Sequence, residues 1–256
     1  MQVADTVALI AGGTSGLGLA TARYLVKEGA SVVLLARTKP AGEAAVAELG
    51  SGRARFVSGD VADPQDVEHA LEAAEAMGWL RTVVCCAGST YARRLVGRSG
   101  PAALDEIESV LRSHLLGTLN LARLSAHRMM AQPLVSEERG VIINTSSIAA
   151  WDGQPGQAAY SAAKAGIVGM TLPLARELAP HGIRVVTIAP GLFDTAVFSA
   201  VPEPVRATLR ESVPHPGRLG SPDEFASLVA HVLANPMVNG TAIRIDGALR
   251  LPAPGK

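Results

Sequence analysis

The sequence predicts an α/β protein: one Rossmann-type, doubly wound parallel sheet of about seven strands with helices on both faces. Three observations predict it. Apolar runs such as Val7-Ala8-Leu9-Ile10-Ala11 and Val141-Ile142-Ile143 have the length and evenness of strands buried on both sides. These runs alternate with longer segments of helical periodicity, an order that calls for parallel crossovers. The first run opens directly into the glycine-rich turn Gly12-Gly13-Thr14-Ser15-Gly16-Leu17-Gly18 ahead of a helix.

In chain order, strand Val7–Ala11 leads to a helix ending at Glu28 and closed by Gly29. Strand Ser31–Ala36 precedes a helix from Pro40 to Leu49, and strand Arg55–Ser58 a helix from Pro64 to Ala76. Thr82–Cys86 is the fourth strand, and Leu104–Met130 reads as one long helix. Strand Val141–Thr145 is followed by a helix through Tyr160 to Leu178. Pro173 inside that helix predicts a kink rather than a break, because the apolar pattern resumes at Leu174 and Leu178. Strand Arg184–Ile188, a Pro-rich segment from Pro190 to Pro222, helix Asp223–Leu233 and strand Ala242–Ile245 complete the order. No repeat, linker or composition break divides it, so residues 1–256 read as one domain.

Composition excludes several classes. Lys and Arg together number 23, as do Asp and Glu, giving a formal charge of zero and no basic tract for nucleic acid or an anionic membrane. No apolar run spans a bilayer. No basic residue precedes Arg23, so no leader is expected. Cys85 and Cys86 are adjacent; they read as small buried hydrophobes, with a strained vicinal disulfide as the alternative, and a reducing cytoplasm is the expected compartment. No metal site is expected.

The chemistry concentrates at the strand ends. A glycine-rich turn lets backbone approach a pyrophosphate at a helix N-terminus, where free N–H groups and the dipole favour anions. The spacing Gly12…Gly16…Gly18 lacks the Gly-Lys-Ser/Thr ending of a phosphate-binding loop in nucleotide hydrolases. The second strand ends at Ala36-Arg37, with no acid for a ribose hydroxyl and a guanidinium that can pair with a 2′-phosphate, which favours NADP over NAD. Arg37 as a solvated loop residue is the competing reading. Asp60-Val61 is placed to meet adenine, and Cys86-Ala87-Gly88 gives a floor of small residues. Tyr160 and Lys164 sit four apart on one helix face, where an ammonium favours the phenolate and lets the pair exchange a proton with an alcohol or ketone. Such a pair also occurs on plain solvated faces. Ser147, at the tip of a buried strand, can hydrogen-bond a substrate oxygen.

Gly12…Gly16…Gly18, Ala87-Gly88, Ser147, Tyr160-x-x-x-Lys164 and Pro190-Gly191 stand in the order and spacing of the short-chain dehydrogenase/reductase family, which the chain resembles from Val7 to Leu251. The segments Gly140–Ala150, Gly156–Pro180, Arg184–Thr195 and Asn239–Ala248 resemble one branch, the type II 3-hydroxyacyl-CoA dehydrogenases, also called type 10 17β-hydroxysteroid dehydrogenases, and their bacterial relatives. The resemblance implies that Tyr160 is the acid/base, that Lys164 lowers its pKa and holds the nicotinamide ribose, and that Ser147 orients the substrate oxygen. It extends the cofactor set to Pro190, Gly191, Phe193 and Thr195. It also implies a small-molecule substrate, acyl-CoA among the candidates, and a homotetramer or homodimer.

Four positions depart from the pattern. Ala11 stands for a threonine, Cys85 for an asparagine, Ala36 for the aspartate that makes the branch NAD-dependent, and His114 for the family's proton-relay asparagine. Histidine can donate, accept and relay a proton; a packing role is the alternative. The segment 191–217 reads as a substrate lid or an ordered structural loop. Arg93, Arg94 and Arg98 read as contacts for nucleotide phosphates or as solvated surface. A steroid or bulky-ketone reductase, and a catalytically weak nucleotide-binding scaffold or sensor, remain as alternative functions.

Overall fold

The computed structural model describes residues 3–88, 91–98, 100–199 and 203–251. Seven strands form one sheet: β1 (Val7–Ala11), β2 (Ser31–Ala36), β3 (Ala54–Ser58), β4 (Leu80–Cys85), β5 (Gly140–Thr145), β6 (Ile183–Pro190) and β7 (Ala242–Ile245). Their order is β3-β2-β1-β4-β5-β6-β7, and every neighbouring pair is parallel. The winding reverses between β1 and β4, which opens a crevice beyond the C-terminal ends of these strands.

Period-two alternation sorts the strand residues into two cores. Leu9, Val33, Val83, Ile142 and Val185 face one side, where α3 (Pro64–Glu75), α5 (Gly117–Met130) and α6 (Ala158–Leu178) cover them. Ile10, Val32, Leu34, Val84, Ile143 and Val186 face the other, beneath α1 (Gly16–Lys27), α2 (Lys39–Leu49) and α9 (Pro222–Ala234). Because both faces are apolar, each strand reads as an unbroken hydrophobic run. The helix starts are local: Asp63 caps α3 and Ser221 with Glu224 forms a capping box on α9, each with proline in the first turn.

The expected elements all form, with three differences. Leu104–Met130 is not one regular helix: α4 (Leu104–Leu111) and α5 are joined by a π-helical segment, Arg112–Leu116, in which the Gly117 N–H bonds the Arg112 carbonyl. One inserted residue leaves hydrophobic spacing too little changed to reveal it. The Pro-rich segment contains helices α7 (Ala196–Ser199) and α8 (Glu203–Glu211), and Val96–Gly97 pairs with Gly100–Pro101 in a short ribbon within the loop after β4. Helix α6 continues through Pro173, which is exposed along with Gly169, so the carbonyl released by the proline can meet solvent.

Cys85 and Cys86 are both free. Strand alternation sends them to opposite faces: the Cys85 sulfur lies 3.4 Å from the Thr118 hydroxyl and the Cys86 sulfur 3.5 Å from that of Thr145. The buried-thiol reading holds for Cys85, whereas Cys86 is half-buried, and the vicinal disulfide is absent. Among the described residues no helix is long and apolar enough to cross a membrane.

Candidate functional site

The site gathers at the C-terminal edge of the sheet. At the β1–α1 turn, a Cβ on Gly12 would lie 2.7 Å from the Cys86 carbonyl carbon, and one on Gly18 2.2 Å from the Gly12 oxygen. Backbone on backbone therefore closes the turn, and glycine is required at both positions. Gly16 has φ +50° and faces the Thr195 side chain, which brings Thr195 from beyond β6 to the same turn. Ser15 takes the N-cap position of α1 but makes no capping bond with its side chain. The first amides of α1 thus keep their hydrogen-bonding capacity at the crevice mouth, an arrangement suited to an anionic group.

Around that turn lie the other expected binding residues. Arg37 is exposed beyond Ala36 at the end of β2. The Asp60-Val61 turn is held firmly. Asp60 accepts from the Ala62 N–H at 2.9 Å, its own N–H donates to Asp66 at 2.8 Å, and Asn120 donates to the Val61 carbonyl at 3.0 Å. Ala87 and Gly88 follow β4, with Gly88 at φ +144°. Gly191 donates to the Ile245 carbonyl at 3.0 Å and presses on Asp246, which anchors the Pro190-Gly191 step to β7. Phe193 is placed differently from its neighbours: its ring is buried in an edge-to-face contact with Phe225, 6.5 Å between centroids.

The three candidate catalytic residues, Ser147, Tyr160 and Lys164, converge where β5 meets α6. Ser147 caps the 3₁₀ turn Ile148–Ala150 by accepting from the Ala149 N–H at 3.1 Å, and its hydroxyl faces the Tyr160 phenol closely enough to favour the phenolate. Burial pushes the Tyr160 phenol above its ordinary value, and the neighbouring Ser147 hydroxyl pulls partly the other way. Lys164 is buried; desolvation lowers its ammonium to about 8 while the neighbouring cysteines oppose the shift. Its Nζ donates to the Thr145 carbonyl at 2.9 Å and stands 5.7 Å from the Tyr160 ring centroid. The lysine is thus seated behind the tyrosine rather than bonded to its oxygen, and the dominant influences on the phenol are burial and Ser147.

His114 joins this group by way of the π segment. Its ring is 2% exposed and meets Tyr160 edge-on, 5.3 Å between centroids at 88°. It lies over Gly88, where an added Cβ would fall 2.4 Å from the ring. The Thr118 hydroxyl donates to the His114 carbonyl at 2.6 Å. Sequence reasoning missed Thr118, the Thr145 carbonyl and Ser146, whose hydroxyl donates to the Lys164 carbonyl at 2.7 Å. A backbone carbonyl leaves no trace in a sequence; the doubled Ser146-Ser147 was the one available signal. Among the described residues no three His, Cys, Asp or Glu side chains gather as a metal site.

Gly88→Ala should combine a positive-φ strain with a clash against the His114 ring, each costing on the order of 1–3 kcal/mol. Chemical denaturation should show that loss, and a His114→Ala background should recover the part due to the ring while leaving the φ strain.

A model of the short chain dehydrogenase family matches residues 6–205. The 3-hydroxyacyl-CoA dehydrogenase type-2 of Drosophila melanogaster is 48% identical over 254 residues, covering 98% of this chain and 99% of its own. The Homo sapiens protein of the same name is 49% identical over 254 residues, covering 98% and 97%. The crystal structure of 3-hydroxyacyl-CoA dehydrogenase type-2 from Mycobacterium avium superposes with a TM-score of 0.94 at 42% identity over 98% of both chains. The chain therefore belongs to the short-chain dehydrogenase family and is an oxidoreductase of that family.

Proposed function

We propose that this protein is an NADP-preferring dehydrogenase that interconverts a secondary alcohol and a ketone on a 3-hydroxyacyl-CoA-type substrate. The observation that carries the reading is that His114, edge-on at 5.3 Å, and the Lys164 ammonium, at 5.7 Å, converge on the half-buried Tyr160 ring, with the Ser147 hydroxyl facing the phenol. The names of the relatives support the substrate class. We read residues 1–256 as one domain, with 191–217 as the substrate lid.

The cradle fits a dinucleotide. Gly12, Thr14, Ser15, Gly16, Leu17 and Gly18 would hold the pyrophosphate at the α1 amides, and Arg37 the 2′-phosphate. Asp60 and Val61 would meet the adenine, and Cys86, Ala87 and Gly88 would floor the site. Pro190, Gly191, Thr195 and the Phe193 backbone, with Tyr160 and Lys164, would hold the nicotinamide end. When bound, the nicotinamide supplies the hydride donor or acceptor. The chain's own task is the proton. Ser147 orients the substrate oxygen. Tyr160 takes its proton in oxidation and returns one to the ketone in reduction. Lys164 fixes the β5–α6 junction and places positive charge behind the phenol, and His114 relays the proton onward.

A second copy of the chain would cover the outer faces of the π segment, α5 and α6, where Leu116, Leu119 and Leu172 are exposed, and we read the assembly as a homotetramer or homodimer. The two free thiols suit a reducing cytoplasm.

With the phenol held above its ordinary value, phenolate is the minor form near neutrality. Alcohol oxidation should therefore gain rate as pH rises toward the phenol's range, whereas ketone reduction, which uses the neutral phenol, should lose it there. Tyr160→Phe should lower kcat by at least about a hundredfold in both directions with cofactor Kd nearly unchanged; a smaller loss with a 3-ketoacyl thioester would remove Tyr160 from the proton step. His114→Leu should slow turnover and His114→Asn should preserve it, whereas equal rates in all three proteins would favour packing.

For the cofactor, a charge-assisted pair between Arg37 and a 2′-phosphate is worth roughly 1.5–3 kcal/mol, on the order of ten- to a hundredfold. NADP should be preferred to NAD by that factor in kcat/KM, less so at high salt because Arg37 is exposed. Ala36→Asp with Arg37→Leu should reverse the preference, and wild-type preference for NAD would overturn this assignment.

A further inference from the structure

Arg244, on β7, lies outside both the glycine turn and the Ser147–Tyr160–Lys164 group, yet its guanidinium is the hub of a network behind the substrate side. Its Nε donates to Asp246 at 2.7 Å, and one terminal nitrogen donates both to Asp152 at 2.5 Å and to the Leu249 carbonyl at 3.0 Å. The guanidinium carbon sits 5.3 Å from the centroid of the Trp151 ring. Both carboxylates are mostly buried, with side-chain exposures of 15% for Asp152 and 8% for Asp246 against 20% for Arg244. Arg250 also donates to Asp246, so two cations balance two anions. A fork of this kind resists displacement by water more than a surface pair does.

What the hub holds is the turn that begins at Ser147. The Ala150 N–H bonds the Ser147 carbonyl at 3.0 Å, and the Trp151 and Asp152 N–H groups bond the Ile148 carbonyl at 3.0 and 2.9 Å. Ser147 and Asp152 are thus the two ends of one rigid piece. Leu249, itself buried, packs with Ile148 from that turn and with Val213 from the end of the 191–217 segment. Asp246 presses on Gly191, and the His215 N–H donates to the Gly247 carbonyl at 3.2 Å.

We propose that Arg244 is a positioning residue for the dehydrogenase reaction, tying the Ser147 turn to the C-terminal segment and so setting the Ser147 hydroxyl against the Tyr160 phenol. This rests on the proton-transfer role proposed for Ser147 and Tyr160. Arg244 touches neither reacting group; it acts through Asp152 and the turn. Loosening the far end of the turn lets the hydroxyl drift, and misplacement of about 1 Å at a reacting centre costs on the order of a hundredfold. Drift also weakens the pull of that hydroxyl on a phenol that burial holds above its ordinary value; the groups facing the ring are Ser147, Lys164 and His114.

The test uses the full-length protein with NADPH and a 3-ketoacyl thioester, and with NADP and the corresponding alcohol. Arg244→Met should lower kcat by on the order of ten- to a hundredfold. It should leave cofactor Kd within about twofold and move the pH profile of alcohol oxidation to higher pH. Arg244→Lys should recover part of the rate through the Asp152 pair. Asp152→Asn, which keeps Arg244 on Asp246 and Leu249, should reproduce the kinetic loss and the pH displacement, and it decides the matter if Arg244→Met does not fold. A lowered Tm with unchanged kcat and pH profile in both variants would overturn the proposal. Ser147→Ala separates the two layers: if it spares turnover, the proton-transfer reading fails and Arg244 with it. If it abolishes turnover while both network variants behave as wild type, the Arg244 proposal alone fails.

Discussion

The site depends on one buried bond, from the Lys164 ammonium to the Thr145 carbonyl at 2.9 Å. A cation 5% exposed is costly to bury, and desolvation has lowered it to about 8. Its carbonyl partner terminates β5, and Ser146 returns a hydrogen bond to the Lys164 carbonyl. Strand end and helix are thereby locked to each other at two points. With that junction rigid, Ser147 and Tyr160 have little choice but to meet. The rigidity of this junction thus comes from the sheet itself, because β5 is central and paired on both sides.

Much of the fold was legible, for reasons that can be named residue by residue. Strands buried on both faces are unbroken apolar runs, and proline and capping side chains mark the helix starts at Pro64 and Pro222. The candidate site was legible where side-chain chemistry marks it, at Tyr160, Lys164, Ser147 and the glycine turn. It was illegible where backbone carries it, as with the Thr145 carbonyl. Phe193 shows the opposite limit. It stands among site residues in sequence, but its ring turns to Phe225, a packing choice no local pattern records. The influence of Lys164 on the phenol was also expected to be direct; in the structure the ammonium is spent on a carbonyl.

Arg244 was invisible for a related reason. Its partners Asp152, Asp246 and Leu249 come from two parts of the chain some ninety positions apart. Only the parallel pairing of β5 with β6, and of β6 with β7, brings them together. Side chains that act at a distance along the sequence need the topology first.

The π segment at Arg112–Leu116 carries a consequence of its own. A regular α-helix through the same residues would have tighter hydrogen bonds, and losing a single residue from the five would permit it. The helix before the lesion would then turn by about 100° relative to the helix after it. His114 would leave the Tyr160 ring, or Thr118 would leave Cys85, but both contacts could not survive. Helical regularity and the integrity of the site are in direct opposition over these five positions. A shortened protein of this kind would be expected to gain order in its longest helical run while losing the arrangement that run exists to hold.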